Sequence, residues 1–93
     1  MFGQVMYFNM AANLISDILG KGNHITSSKG SAIAYRDEAG KVSAFAVYKA
    51  IGDSKLETVY EGDSLSDATD KYIMTVGVLD AIGHGTMWFR NNR

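Results

Sequence analysis

The segment SAIAYRDEAGKVSAFAVYKA, running from Ser31 to Ala50, decides how the rest of the chain is read. Two runs of β-branched, aromatic and small residues flank Asp37-Glu38-Ala39-Gly40-Lys41, the pattern of a β-hairpin. A two-residue loop at Ala39-Gly40 would require a positive φ at Ala39, which costs about 1 kcal/mol or more in a residue with a Cβ. A three-residue loop avoids that cost. Asp37 then opens a type I turn with its side chain on backbone N–H groups, Gly40 takes the left-handed position of the following bulge, and Asp37 faces Lys41. Alternation in this register puts Ile33, Tyr35, Phe45 and Val47 on one face and Ala32, Ala34, Ala44, Ala46 and Tyr48 on the other. Neither set is a row of charges, so both faces are expected to be at least partly covered, and a slip of one residue would mix them.

Before the hairpin, Gln4 to Phe8 (QVMYF) reads as a short buried strand or as the first turn of a longer helix, with the strand preferred. From Asn9, an acceptable N-cap, Met10, Ala11, Leu14, Ile15, Ile18 and Leu19 recur at helical spacing, and Gly20 and Gly22 stop the helix. Asn13, Ser16 and Asp17 then face water. GKGNHITSSKG, residues 20–30, reads as a mobile connector; it carries Lys21, His24 and Lys29 but neither GxxxxGK[ST] nor GxGxxG.

After the hairpin, Gly52-Asp53-Ser54-Lys55 marks a second turn. Leu56 to Glu61 follows as a strand with Leu56, Thr58 and Tyr60 inward and Glu57, Val59 and Glu61 outward. Ser64-Leu65-Ser66-Asp67 has the form of a capping box opening a helix whose inner stripe is Leu65, Ala68, Tyr72, Val76 and Leu79, and which ends at Gly83-His84-Gly85. The β-forming run Tyr72 to Val76 and Gly77 argue for a strand there instead, and the cap and the Asp67 to Lys71 spacing argue for the helix. Thr86 to Arg90 closes the chain as an edge strand with Trp88 and Phe89 on opposite faces. The fold class is therefore α+β over residues 1–93 as one domain, a three- to four-stranded, mainly antiparallel sheet with two helices in the order (β)-α-β-β-β-α-β.

The chain has no cysteine, which removes disulfides, thiolate metal sites and thiol nucleophiles and agrees with a reducing cytoplasm. No Lys or Arg precedes Lys21, so the basic start of a signal peptide is missing, and no apolar run is long enough for a membrane span. His24 and His84 are far apart in sequence and lack an HxxxH or HExxH context; His84 is expected by a helix C-terminus, where a cation is favoured. No GxSxG elbow exposes a serine. No catalytic residue, metal or cofactor is assigned.

Charge is segregated by sign although the net formal charge is only −1. Glu57, Glu61, Asp63, Asp67 and Asp70 lie in a stretch without Lys or Arg, whereas Lys21, Lys29, Arg90 and Arg93 sit toward the ends. The acids serve as the solvent side of a strand and as complements to a helix dipole, and together they would also present an acidic patch to a basic partner. Calcium is disfavoured because DxDxDG order is absent. Trp88 and Arg90, with the Asn91-Asn92-Arg93 tail, allow an RNA-binding alternative in which the indole stacks a base.

The order helix, three strands, helix between Asn9 and Ile82 resembles that of the double-stranded-RNA-binding domain. Where that family opens its second helix with a lysine-rich KKxAK-like segment, this chain has Ser66-Asp67-Ala68-Thr69-Asp70, which repels phosphate. In size, lack of cysteine and the run VYEGDSLSDATDKY, the chain resembles small phage-encoded inhibitors of host machinery, of which anti-CRISPR proteins are examples. The resemblance implies a non-enzymatic blocker in the host cytoplasm. Glu57, Glu61, Asp63, Asp67 and Asp70 would meet the basic surface of a host protein or ribonucleoprotein complex, with no direct nucleic acid and no membrane. The alternative is a module that self-associates through the hairpin residues Tyr35, Phe45 and Tyr48, as monomer and homodimer; a small enzyme comes after both.

Overall fold

The computed structural model describes residues 2–92, and side chains within residues 5–92. The elements are α1 (Phe2–Gly20), β1 (His24–Thr26), β2 (Gly30–Arg36), β3 (Val42–Ala50), β4 (Leu56–Gly62), α2 (Leu65–Val76) and α3 (Val78–Asn91). The strands form one antiparallel meander in the order β1-β2-β3-β4, and the three helices pack against one side of it. The α+β class with an antiparallel sheet is as the sequence predicts. The helix, three-strand, helix order gains β1 inside the expected connector and α3 in place of the terminal strand.

The hairpin turn forms as its residues dictate. Asp37 donates its N–H to the Lys41 carbonyl at 2.8 Å and accepts from Gly40 N–H at 2.9 Å. Its carboxylate takes the N–H groups of Ala39 and Lys41, each at 2.9 Å, and Gly40 has φ +84°. Beyond the turn the register shifts. Arg36 pairs with Val42, but Tyr35 pairs with Ala44, so Ser43 is an extra residue in β3. Every later side chain of β3 thereby changes face relative to β2. The expected grouping of Ile33 and Tyr35 with Phe45 and Val47 is therefore corrected: Ala32 and Ala34 lie with Phe45 and Val47 under the helices, and Ile33 and Tyr35 lie with Ala44, Ala46 and Tyr48 on the opposite face.

A second shift occurs in β4, where Tyr60 pairs with Val47 but Thr58 pairs with Tyr48, leaving Val59 as the extra residue. Tyr60 and Val59 consequently pack against the core, while Leu56 and Thr58 turn away from it, the reverse of the expected inward placing of Leu56 and Thr58 and outward placing of Val59. The bulges move the larger hairpin side chains Phe45 and Val47 into the core and leave Ile33, Tyr35 and Tyr48 outside.

The helical layer follows from apolar stripes and one cap. Ala11, Ile15, Ile18 and Leu19 of α1 and Ala68, Tyr72, Ile73 and Val76 of α2 are buried with Ile25, Phe45 and Val47. Each such Ile, Leu or Val contributes about 1.5–3 kcal/mol by leaving water. Ser64 caps α2, its Oγ accepting from Asp67 N–H at 3.1 Å. Ser16, expected to face water, instead bonds the buried Thr69 hydroxyl across α1 and α2 at 3.2 Å.

Three sequence expectations fail in the helices. Gln4 to Phe8 belongs to α1, with no strand there, because the apolar run is continuous with the helical stripe behind it. Gly77, with φ +93°, ends α2 and turns the chain into α3, so Leu79 leaves the inner stripe and is 70% exposed. Gly83 and Gly85 do not stop a helix, and Thr86 to Arg90 is helical. Gly85 is buried where α3 crosses α1; a Cβ there would lie 2.8 Å from Cβ of Leu14. Trp88 and Phe89 meet edge to face at 5.1 Å, and Lys21 Nζ stands 6.0 Å from the Phe89 ring centre.

The two helical glycines should respond oppositely to a methyl group. Gly83 is exposed with open space at its Cβ position, so Gly83→Ala should raise stability in urea denaturation by about 0.5–1 kcal/mol. Gly85→Ala should lower it by about 1–3 kcal/mol through overpacking on Leu14. Equal stabilisation by both would contradict the close crossing of α1 and α3.

Candidate functional site: the uncovered face of the sheet

The face of the sheet opposite the helices presents His24 and Thr26 from β1, Ser31, Ile33 and Tyr35 from β2, Ala44, Ala46 and Tyr48 from β3, and Leu56, Thr58 and Glu61 from β4. No residue of this set belongs to the helix-side core. The expectation that both faces are covered is met on one side only. At the centre Ala46, paired with Ile33, is only 2% exposed although no helix reaches it. Tyr35 lies two residues along β2 from Ile33, and Tyr48 two residues along β3 from Ala46 in the opposite direction, so the two phenols flank the Ile33 and Ala46 pair on this face.

The nearness of the two phenols has an electrostatic signature. The Tyr48 phenol is raised above the ordinary tyrosine value of 10.0, first by hydrogen bonding to Tyr35, then by loss of solvent, then by the adjacent negative charges of Tyr35 when ionised and of Glu61. Tyr35, Tyr48 and Glu61 are thus brought together on one surface. Phe45 is not. It is 6% exposed and faces the helices, which removes it from the expected self-association set.

The five acidic residues do not stay together. Glu61 stands opposite Ala46 on the uncovered face, and exposed Asp63 and Asp67 continue around the corner into the first turn of α2. Glu57 stands opposite Lys49 on the other side of the β4 bulge, and so does not share a face with Glu61. Asp70 is half-buried beside Ala12, Ser16 and Thr69, where α2 meets α1. Of the five, Glu61, Asp63 and Asp67 are exposed and follow one another along the chain from the end of β4 into the first turn of α2.

A polar cluster lies on the helix side. Tyr72 is fully buried, and its hydroxyl is 3.2 Å from Nδ1 of His84 in the middle of α3, so His84 is not at a helix end as the sequence suggested. Burial raises the Tyr72 phenol, the nearby Ser27 hydroxyl opposes the shift, and the Asp80 charge adds to it. Lys29 pairs with Asp80 and holds that carboxyl below its ordinary range by hydrogen bonding and charge, with a smaller contribution from His84. Ser27 Oγ donates to the Gly30 carbonyl at 3.0 Å and accepts from Lys29 N–H at 3.2 Å. These bonds tie the turn between β1 and β2 to α3; their place explains them as fold contacts.

At one end of the helical layer, Val5, Tyr7, Phe8, Val78 and Leu79 line a cleft of about 580 Å³ with no charged side chain among the described residues. The uncharged run from Phe2 to Ser16 is its trace in the sequence. Among the described residues no three His, Cys, Asp or Glu gather as a metal would need, and no helix is long and apolar enough to cross a membrane.

Because Tyr48 and Tyr72 are both raised, their stabilising contribution is complete below the ordinary value of 10.0 and is lost as pH rises through and beyond it, since the unfolded phenols ionise first. In an ultraviolet titration of phenolate, Tyr35→Phe should bring the Tyr48 midpoint down toward the ordinary value. A midpoint indifferent to that substitution would contradict the pairing of the two phenols.

Comparison of the chain with protein-family models, with curated proteins and with solved structures found no match.

Proposed function

We propose that this chain is a non-enzymatic protein-binding module that docks through the uncovered face of its sheet onto a protein or ribonucleoprotein with a basic surface. The observation that carries this reading is the make-up of that face. Tyr35 and Tyr48 form an aromatic centre with Ile33 and Leu56 around it, and Glu61 is the single carboxylate at its paired positions. Buried aromatic anchors inside a polar rim are the usual carriers of binding energy at protein interfaces.

Glu61, Asp63 and Asp67 add a negative margin on the β4 side. Such a margin steers a cationic partner into register and repels nucleic acid phosphate. The specific form of the reading is a stoichiometric blocker that covers a basic groove of a host nucleic-acid-binding complex, in keeping with the organisation the chain shares with small phage-encoded inhibitors. Trp88 is half-buried between helices and groove, which does not favour the base-stacking alternative. Self-association through the same face is the second reading, favoured by the meeting of Tyr35 and Tyr48 within it.

Affinity capture with the purified chain tests the first reading and sedimentation at two concentrations the second. Glu61→Lys or Tyr48→Ala should each weaken capture about tenfold or more while the circular dichroism spectrum stays native, and high salt should weaken the wild type. A captured partner retained equally by both variants would remove this face from the function. A dimer that persists in high salt and dissociates in Tyr48→Ala would select self-association.

A further inference from the structure

The free edge at β1 and the helix beside it form a second, differently built surface. In the β1 and β2 ladder Asn23 accepts from Ala34 N–H at 3.2 Å and Ser27 donates to the Gly30 carbonyl at 2.9 Å. Ladder bonds therefore fall on Asn23, Ile25 and Ser27, and the N–H and C=O groups of His24 and Thr26 point away from β2. Nothing pairs with that side in the order β1-β2-β3-β4, and none of the turn and loop backbone bonds among the described residues reaches those groups.

These groups border a groove of about 350 Å³ whose other wall is the second half of α3, with His84, Met87, Trp88 and Asn91. Met87 is 50% exposed there, beside the half-buried Trp88 and between the polar His84 and Asn91. The ring of His84 is held from behind by Tyr72 at Nδ1, which leaves its other nitrogen for the groove. Among the described residues no carboxylate lines this groove, and the nearest along α3, Asp80, is paired with Lys29.

We propose that this groove binds an extended, neutral or acidic segment of a partner protein, which joins the sheet as a strand beside β1. Two donors and two acceptors repeating at about 7 Å along one edge are matched by another extended backbone and by no compact ligand. Alternate side chains of the segment turn toward α3, where an apolar one meets Met87 and Trp88 and a polar one meets the Asn91 amide or the His84 imidazole. With no carboxylate among the described lining residues, an acidic segment meets no like charge there. β4, the opposite edge, carries a bulge and two glutamates, features that discourage strand addition there.

The test uses the full chain and a library of random linear peptides. Panning should enrich sequences with strand alternation and few Lys or Arg. An enriched peptide should bind one to one by calorimetry and slow amide exchange at His24 and Thr26. Thr26→Pro removes an N–H that no internal bond uses, so it should keep the native spectrum and weaken peptide binding about tenfold or more. Met87→Lys, on an exposed position of α3, should also weaken it and serves if the proline variant does not fold. Tyr48→Ala should leave peptide affinity unchanged, which keeps this site distinguishable from the uncovered face. The proposal is overturned if no alternating sequence is enriched, if binding ignores Thr26→Pro and Met87→Lys, or if protection falls on β4. Concentration-dependent protection of His24 and Thr26 without peptide would overturn it in favour of a second copy of the chain.

Discussion

One extra residue, Ser43, determines which side chains of the central hairpin meet the helices. Without it, Ile33 and Tyr35 would share a face with Phe45 and Val47, and the sheet would have one bulky side and one nearly flat one. With it, each bulky residue sits opposite a small one: Ala34 with Phe45, Ala32 with Val47, Ile33 with Ala46, Tyr35 with Ala44. Both faces then carry some volume and some relief. On the helix side the alanines leave room for α1 and α2, and Phe45 and Val47 fill the space between them. On the other side Tyr35 and Tyr48 flank Ala46, which is buried although no helix of the core cluster packs on it, and they make that surface aromatic.

The readable parts of the fold were those set by local chemistry. Asp37 and Gly40 specify their turn through hydrogen bonds and a positive φ that the sequence states outright. Ser64 and Asp67 announce the start of α2 in the same way. The bulges at Ser43 and Val59 leave no such trace, because an unpaired residue in a strand needs no special side chain. Large residues facing large ones is also the simpler pattern to expect, and the structure pairs large with small. At the C-terminus two glycines resemble a helix end, yet Gly85 is there for the approach of Leu14, a tertiary reason invisible to local spacing.

Of the candidate site, Tyr35, Tyr48 and Glu61 could each be singled out in the sequence, but their sharing one face could not, because the bulge at Ser43 brings Tyr48 to the side of Tyr35; the register shifts also turn Phe45 and Glu57 to the helix side, and a helix contact half-buries Asp70. A pattern of charge along the chain becomes a patch only when the fold puts its members on one side. Here the register separates Glu61 from Glu57, and the helix contact separates Asp70 from both. The two edges of the sheet differ as well, one bulged and acidic, the other short and free beside α3. One surface offers aromatic side chains and the other offers unpaired backbone groups.

Cross-strand proton contacts in solution test the register on which all of this rests. Nuclear Overhauser effects should connect Tyr35 with Ala44 and Ile33 with Ala46, the pairs created by the bulge at Ser43. Contacts connecting Tyr35 with Ser43 and Ile33 with Phe45 would contradict it, because they would return Phe45 to the uncovered face and place Tyr35 and Tyr48 on opposite sides of the sheet.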